Sequence, residues 1–204
     1  MPNWCNNTIE LSGPKDKIKA IFDKAKADDR LLNQLYPMPE ALRETTSPTP
    51  QEGQAGYKGP QPVVDGYDNW YDWAVNNWKT KWDVDLDGLE YREEGDTGII
   101  QGWFDSAWSP PTGAYDHFLA RNDDCYIKSY YYEGGCDFAG LYWDGSDDMV
   151  TPSDYTADEM EDSDSGLMYD INEHFNISES VREYEEEQKT DTEKFVVDKE
   201  AVNV

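Results

Sequence analysis

The chain has 204 residues with 44 acidic and 17 basic side chains, giving a formal net charge of −27 and a pI near 4.1. Such a balance disfavours direct binding to DNA, RNA or anionic membranes, each of which needs Lys and Arg against phosphate, and no apolar run approaches the roughly 20 residues of a membrane helix. The length allows one domain with appendages or two small ones, and 14% aromatic residues offset an apolar fraction of only 37%.

The opening MPNWCNNTIELSG predicts a strand near 6–11, with Ile9 and Leu11 alternating against Thr8 and Glu10. Gly13-Pro14 then starts a helix with Ile18, Ile21, Phe22 and Ala25 on its buried face. Residues 43–66, rich in Pro, Gly, Thr, Ser and Gln, read as a long loop or insertion.

Next comes the densest aromatic stretch, with Trp70, Trp73, Trp78 and Trp82 within thirteen residues. Tyr67, Trp70, Tyr71, Ala74 and Trp78 recur at helical spacing, with Asp65 or Asp68 placed to cap the helix and Trp73 beside the stripe. From Trp82 the period changes: Trp82, Val84 and Leu86 face one way and Asp83, Asp85 and Asp87 the other, which predicts a half-buried strand. It forms a hairpin with a strand over Ile99–Phe104. Thr112 caps a short helix carrying Tyr115, Phe118 and Leu119. Strands at Cys125–Tyr132 and Asp137–Trp143 then flank a two-glycine turn at Gly134-Gly135.

With the Trp-rich helix set aside as an insert, this order is that of an α+β protein of the ferredoxin-like, split βαβ kind: an antiparallel sheet with two packing helices and an added edge strand. The domain spans 1–143. Residues 144–204 hold 20 acidic and four basic residues and form an acidic C-terminal extension, partly helical or disordered. Within it, Leu167, Met168, Ile171 and Phe175 predict one helix, Ser178 caps another through 181–188, and Phe195-Val196-Val197 reads as a terminal strand.

Four segments in order, MPNWCNN, YDWAVNNWKTKWD, FDSAWSPP (104–111) and YEGGCDFAG (132–140), resemble the Api-like family of phage and mobile-element proteins. The resemblance covers Met1 to about Trp143. It implies a ferredoxin-like fold and a bacteriophage or plasmid origin, and no activity or catalytic residue. Lys79 stands where similar proteins have glycine, which favours a helix running slightly further in place of a tight turn.

Chemistry-bearing patterns are few. Asp83, Asp85, Asp87, Gly88 and Glu94 match the spacing of a calcium-binding EF-hand loop, D-x-D-x-D-G with a carboxylate six residues on. Against calcium, no amphipathic helix follows Glu94, and the alternation around Asp83 prefers a strand. His117 and His174 lack a second ligand at helical spacing, Ser106 and Ser109 lack a nucleophile elbow, and Cys5, Cys125 and Cys136 make neither an even framework nor a CxxC pair, which reads as reduced thiols in a cytosol. Pro2 is an ordinary start, with a base role for a terminal secondary amine resting on fold analogy alone.

The leading expectation is an acidic phage accessory protein without enzyme activity or cofactor, acting in the host bacterial cytoplasm. It binds a basic host protein of the nucleic-acid-binding or defence kind and decoys or inhibits it as a DNA mimic would. Asp158, Glu159, Glu161, Asp162, Asp164, Glu185, Glu186 and Glu187 are the candidate contacts. The alternative is a small-ligand or cation-binding module in which Trp73, Trp78 or Trp108 stacks on the ligand and Asp83, Asp85 and Asp87 hold a cation. An enzyme is the third reading.

Overall fold

The computed structural model describes residues 3–186. Its first strand, β1 (Trp4–Pro14), is longer than its alternating core predicts, because it is paired on both sides. It runs antiparallel to β3 (Thr97–Ala107) and to β4 (Tyr126–Glu133). β2 (Leu89–Glu94) forms a hairpin with β3, while β5 (Phe138–Trp143) and β6 (Ser146–Val150) extend the other side. The six-stranded antiparallel sheet has the order β2-β3-β1-β4-β5-β6.

Strand alternation sends Cys5, Asn7, Ile9 and Leu11 of β1 to one face, where the main core lies. Helix α1 (Lys15–Asp28) buries Ile18 and Ala25 fully there, while Ile21 and Phe22 are only half-buried at its rim. Short helices α2 (Leu32–Leu35) and α3 (Glu40–Arg43), then α4 (Trp70–Asn77) and α5 (Thr112–Leu119), complete that layer. Tyr115 and Tyr142 pack at 5.1 Å inside it. The Tyr142 hydroxyl donates to Asp116 at 2.7 Å.

Several local expectations change. α4 starts at Trp70, and its cap is Asn69, whose side-chain oxygen accepts the Asp72 N–H at 2.9 Å; Asp65 and Asp68 do not cap it. Thr112 lies inside the first turn of α5, so Pro111 holds the cap position. The Gly134-Gly135 turn uses neither glycine at positive φ. The buried Glu133 carboxylate accepts the Gly135 and Cys136 N–H groups instead, and Asp137 is the left-handed residue. Residues 82–86 are not a strand. Val84 and Leu86 do point into the core and Asp85 and Asp87 out, but the segment has no ladder partner, and pairing begins only at Leu89.

Lys79 does not lengthen α4. The helix ends at Asn77 and Lys79 takes a left-handed φ of 74°, the tight turn for which glycine is suited. Lys79→Gly is therefore expected to stabilise the fold by about 1 kcal/mol, the cost of a left-handed L-residue less glycine's extra unfolded-state entropy. A thermal melt should show the midpoint rising by roughly 2–4 °C.

The acidic extension is more ordered than its composition predicts. Ser146–Val150 is the sixth strand, and the chain then folds back over the second face of the sheet through α6 (Ala157–Met160), α7 (Leu167–Phe175) and a helix over 177–186. Met160, Met168, Ile171 and Ile177 bury themselves against Tyr130 and Ala139 there, forming a second core. Ser178 is not a cap; its hydroxyl donates to Glu161 and its N–H to Asn172. The strand predicted at Phe195–Val197 lies outside the described residues. No helix among the described residues is long and apolar enough to cross a membrane.

Candidate functional site

α7 covers β4 and β5, whereas Trp103 of β3 and Trp4 of β1 remain 63% and 46% exposed. Beside these two indoles runs the segment 79–88, and three anchors fix it. Thr80, fully buried, donates its hydroxyl to the Ala107 carbonyl at 2.9 Å and accepts the Ala107 N–H at 3.0 Å. The Asp83 carboxylate accepts N–H groups from Leu32 (2.7 Å), Asn33 (2.9 Å) and Val84 (3.0 Å), tying the segment to α2. Lys26 of α1 donates to the Leu86 carbonyl at 2.6 Å.

The segment closes on β3 at Gly88. A Cβ there would sit 2.3 Å from the Trp103 carbonyl oxygen and 2.9 Å from its ring, so only glycine fits, and the Trp103 N–H donates to the Gly88 carbonyl at 3.2 Å. This approach stands Trp103 up as one wall of a cleft of about 450 Å³. Trp82 and Trp4 form the others, their rings 6.1 Å apart and inclined at 54°. Asp85 and Asp87, which the 82–87 alternation turns outward, line the cleft together with Asp105 from β3. One oxygen of Asp85 accepts the Asp87 N–H at 2.7 Å and one of Asp105 accepts the Asn6 amide at 2.7 Å, which leaves further lone pairs on each for a ligand.

Asp83 plays a different part. Burial pushes its carboxyl up to about 6 against the opposing pull of its three N–H donors and of Arg30. Its oxygens are committed to the backbone, so it shapes the cleft and is not free to hold a ligand.

The calcium candidates are not gathered into one ligand set. Asp83 is bound to α2, and Glu94 sits at the far end of β2 in an ion pair with Arg92. Among the described residues no group of three or more His, Cys, Asp or Glu side chains could hold a metal ion. Trp73 and Trp78, ligand-stacking candidates in the alternative reading, are core: they are 2% and 4% exposed, pack edge to face at 5.3 Å, and the Trp78 indole N–H donates to the Tyr36 carbonyl at 2.8 Å. Trp108 is half-exposed.

The candidate acidic contacts of the extension hold local structure. Glu159 closes a capping box with Thr156, and Asp162 accepts the Asp164 N–H at 3.0 Å. Asp158 and Glu161 converge on Arg182, and that guanidinium with the Ser178 hydroxyl holds the Glu161 carboxyl down to about 2. Glu185 and Glu186 lie on the 177–186 helix, and Glu187 is outside the described residues.

Cys5, Cys125 and Cys136 are free thiols. Burial raises Cys5 to about 12 and Cys125 to about 11, so neither is an activated nucleophile, and Cys136 is exposed. His117 stacks on Tyr36 with ring centroids 3.4 Å apart, and burial lowers its pKa. His174 lies 4.2 Å from Tyr130.

Trp4, Trp103 and Asp105 are the cleft residues that sequence reasoning missed. The available signal was in β3, where Gln101, Trp103 and Asp105 alternate outward with an indole among polar neighbours.

No protein-family model matches the chain, and no curated protein does. Among solved structures it is similar to the crystal structure of a protein api92 from Yersinia pseudotuberculosis, of the family DUF1281, at 18% identity and a TM-score of 0.31. The match covers 46% of this chain and 33% of that one, so the chain spans about a third of that protein's length.

Proposed function

We propose that this chain is a phage accessory protein that binds a basic protein of the host bacterial cytoplasm, and that the cleft between Trp4, Trp82 and Trp103 receives a lysine or arginine side chain of that partner. The body is read as a ferredoxin-like split βαβ sandwich. Supporting this are the β2-β3-β1-β4 strand order and the placing of α1 and α5 on one face, with β5 and β6 as additions at one edge and the Trp-rich helix as an insert.

The observation that carries the reading is the pairing of three indole walls with Asp85, Asp87 and Asp105 in one cleft. A cation gains from the face of an indole, and it gains more where a carboxylate reaches it out of bulk water. The net charge of −27 adds long-range attraction towards a surface that ordinarily holds nucleic acid, so the partner is captured as DNA would capture it. Charge brings the partners together, and the indoles supply the selective anchor.

The test is capture from bacterial lysate by the tagged full chain, with elution by a salt gradient. The expected result is a nucleic-acid-binding protein released at moderate salt, displaced by added duplex DNA, and not retained by the triple variant Asp85→Asn, Asp87→Asn, Asp105→Asn. Retention that ignores salt, or that survives the triple substitution, contradicts the proposal.

A further inference from the structure

A second cavity lies on the α4 side of Trp82. It is a groove of about 640 Å³ lined by Ser47, Thr49, Asp68, Tyr71, Asp72, Lys81 and Trp108, among others. Its walls are aromatic planes set at right angles: Tyr71 meets Trp70 at 5.8 Å and Trp108 at 6.1 Å, both at 86°. The Lys81 ammonium is 4.5 Å from the Trp82 ring centre, 5.5 Å from that of Trp108 and 5.9 Å from that of Tyr71. Among the described residues it makes no ion pair with a carboxylate.

Trp108 is the telling residue. Its φ of 75° is left-handed, a conformation in which a bulky side chain is a genuine outlier. Bonds on either side hold it there: its N–H donates to the Asn3 carbonyl at 2.9 Å, and the next residue, Ser109, donates its hydroxyl to the Lys79 carbonyl. The residue is not fully buried, and its indole lines the groove beside Tyr71 and Lys81. Backbone strain of this kind clusters at ligand clamps, and here it sets an indole at the rim of a groove.

The polar groups define that ligand. The buried Asn69 amide donates to one oxygen of Asp68 and one of Asp72, each at 2.8 Å, and the second oxygen of each carboxylate makes no hydrogen bond among the described residues. The groove therefore offers two acceptors and one ammonium donor beside flat apolar planes. An anion is repelled by the two aspartates and the overall charge. A cation competes with Lys81 for the same rings. What remains is a neutral molecule whose groups both donate and accept, with an apolar face to lie on an indole. A hydroxyl does both, and a pyranose ring carries several around a C–H face. We propose that this groove binds an uncharged sugar residue, stacked on Trp108 and hydrogen-bonded to Asp68, Asp72 and Lys81. The site is independent of the protein partner proposed above.

Cellotriose, maltotriose and triacetylchitotriose, titrated into the full chain and followed by calorimetry and saturation-transfer NMR, test this. At least one is expected to bind with a Kd below about 5 mM. Tyr71→Ala and Trp108→Gly should each weaken that affinity at least about tenfold, and Trp143→Ala should leave it unchanged. Trp108→Gly should melt within about 2 °C of the parent or above it, because glycine takes the left-handed backbone without strain. No binding of any of the three sugars at roughly 20 mM overturns the proposal. So does full affinity in Trp108→Gly and Tyr71→Ala, and so does a Trp108→Gly chain that melts well below the parent, since the indole would then be a packing residue.

Discussion

Asp83→Ala is expected to cost about 2–4 kcal/mol at neutral pH and to lower the melting midpoint by roughly 5–15 °C. The substitution strips the acceptor from three backbone N–H groups, those of Leu32, Asn33 and Val84. Each orphaned N–H costs about 1–3 kcal/mol. Against this, removing a carboxyl raised to about 6 recovers about 3 kcal/mol of unfavourable charge burial. Three orphans outweigh one relieved charge. The pH dependence has a definite sign. Because the folded pKa lies above the usual 3.8, the native state holds the proton more tightly than the unfolded chain. The stabilisation from this group is complete below about pH 4, falls as pH rises towards 6, and is flat above. The melting gap between parent and Asp83→Ala should therefore be wider at pH 4.5 than at pH 7.5. A wider gap at pH 7.5 would show that the ionised carboxylate is the favoured form.

Gly88→Ala carries the second large effect, a loss of about 2–4 kcal/mol. The added Cβ meets a backbone oxygen at 2.3 Å, and the pair is held together by the Trp103 N–H bond to Gly88, so neither backbone can step aside cheaply. The facing residue is equally constrained: Gly102 has a φ of 137°, with the Gly88 carbonyl oxygen 2.0 Å from where its Cβ would lie. Removing the indole should not rescue the change. In the double variant Gly88→Ala, Trp103→Ala the backbone clash persists, so thermal melts should show nearly the full loss. Recovery of stability in that double variant would mean that the ring, and not the carbonyl, is what excludes a side chain.

Much of the sheet was legible because alternation is a local property. Ile9 and Leu11 in β1 and the outward Asp85 and Asp87 are read from spacing alone. The same rule misled at 82–86, where faces alternate but no neighbouring strand is present to pair, and pairing depends on residues distant in sequence. Asp83 stood as a cation candidate in the alternative reading for a similar reason. Its partners are on α2, about fifty positions away, and nothing in D-x-D-x-D-G reveals them. In the extension, the helix at Leu167–Phe175 was legible from its apolar spacing, but twenty acidic residues hid the sixth strand and the second core. Yet Met160, Met168, Ile171 and Ile177 are enough for a second core, because the sheet already supplies Tyr130 and Ala139 as its other half. The cleft was hidden in sequence because its three tryptophans come from β1, the 79–88 segment and β3. The four-tryptophan stretch drew attention instead, and two of its members, Trp73 and Trp78, are core.

In the proposed function a cleft, and not bulk charge, selects the partner. The most direct measurement is calorimetric titration of a tetra-arginine peptide into the parent chain and into Trp103→Ala, at low and at physiological salt. Both proteins carry the same net charge of −27. Binding to the parent that weakens with salt and falls at least about tenfold in Trp103→Ala is the predicted result. Equal affinity for the two proteins would contradict it, and would reduce the attraction to charge alone.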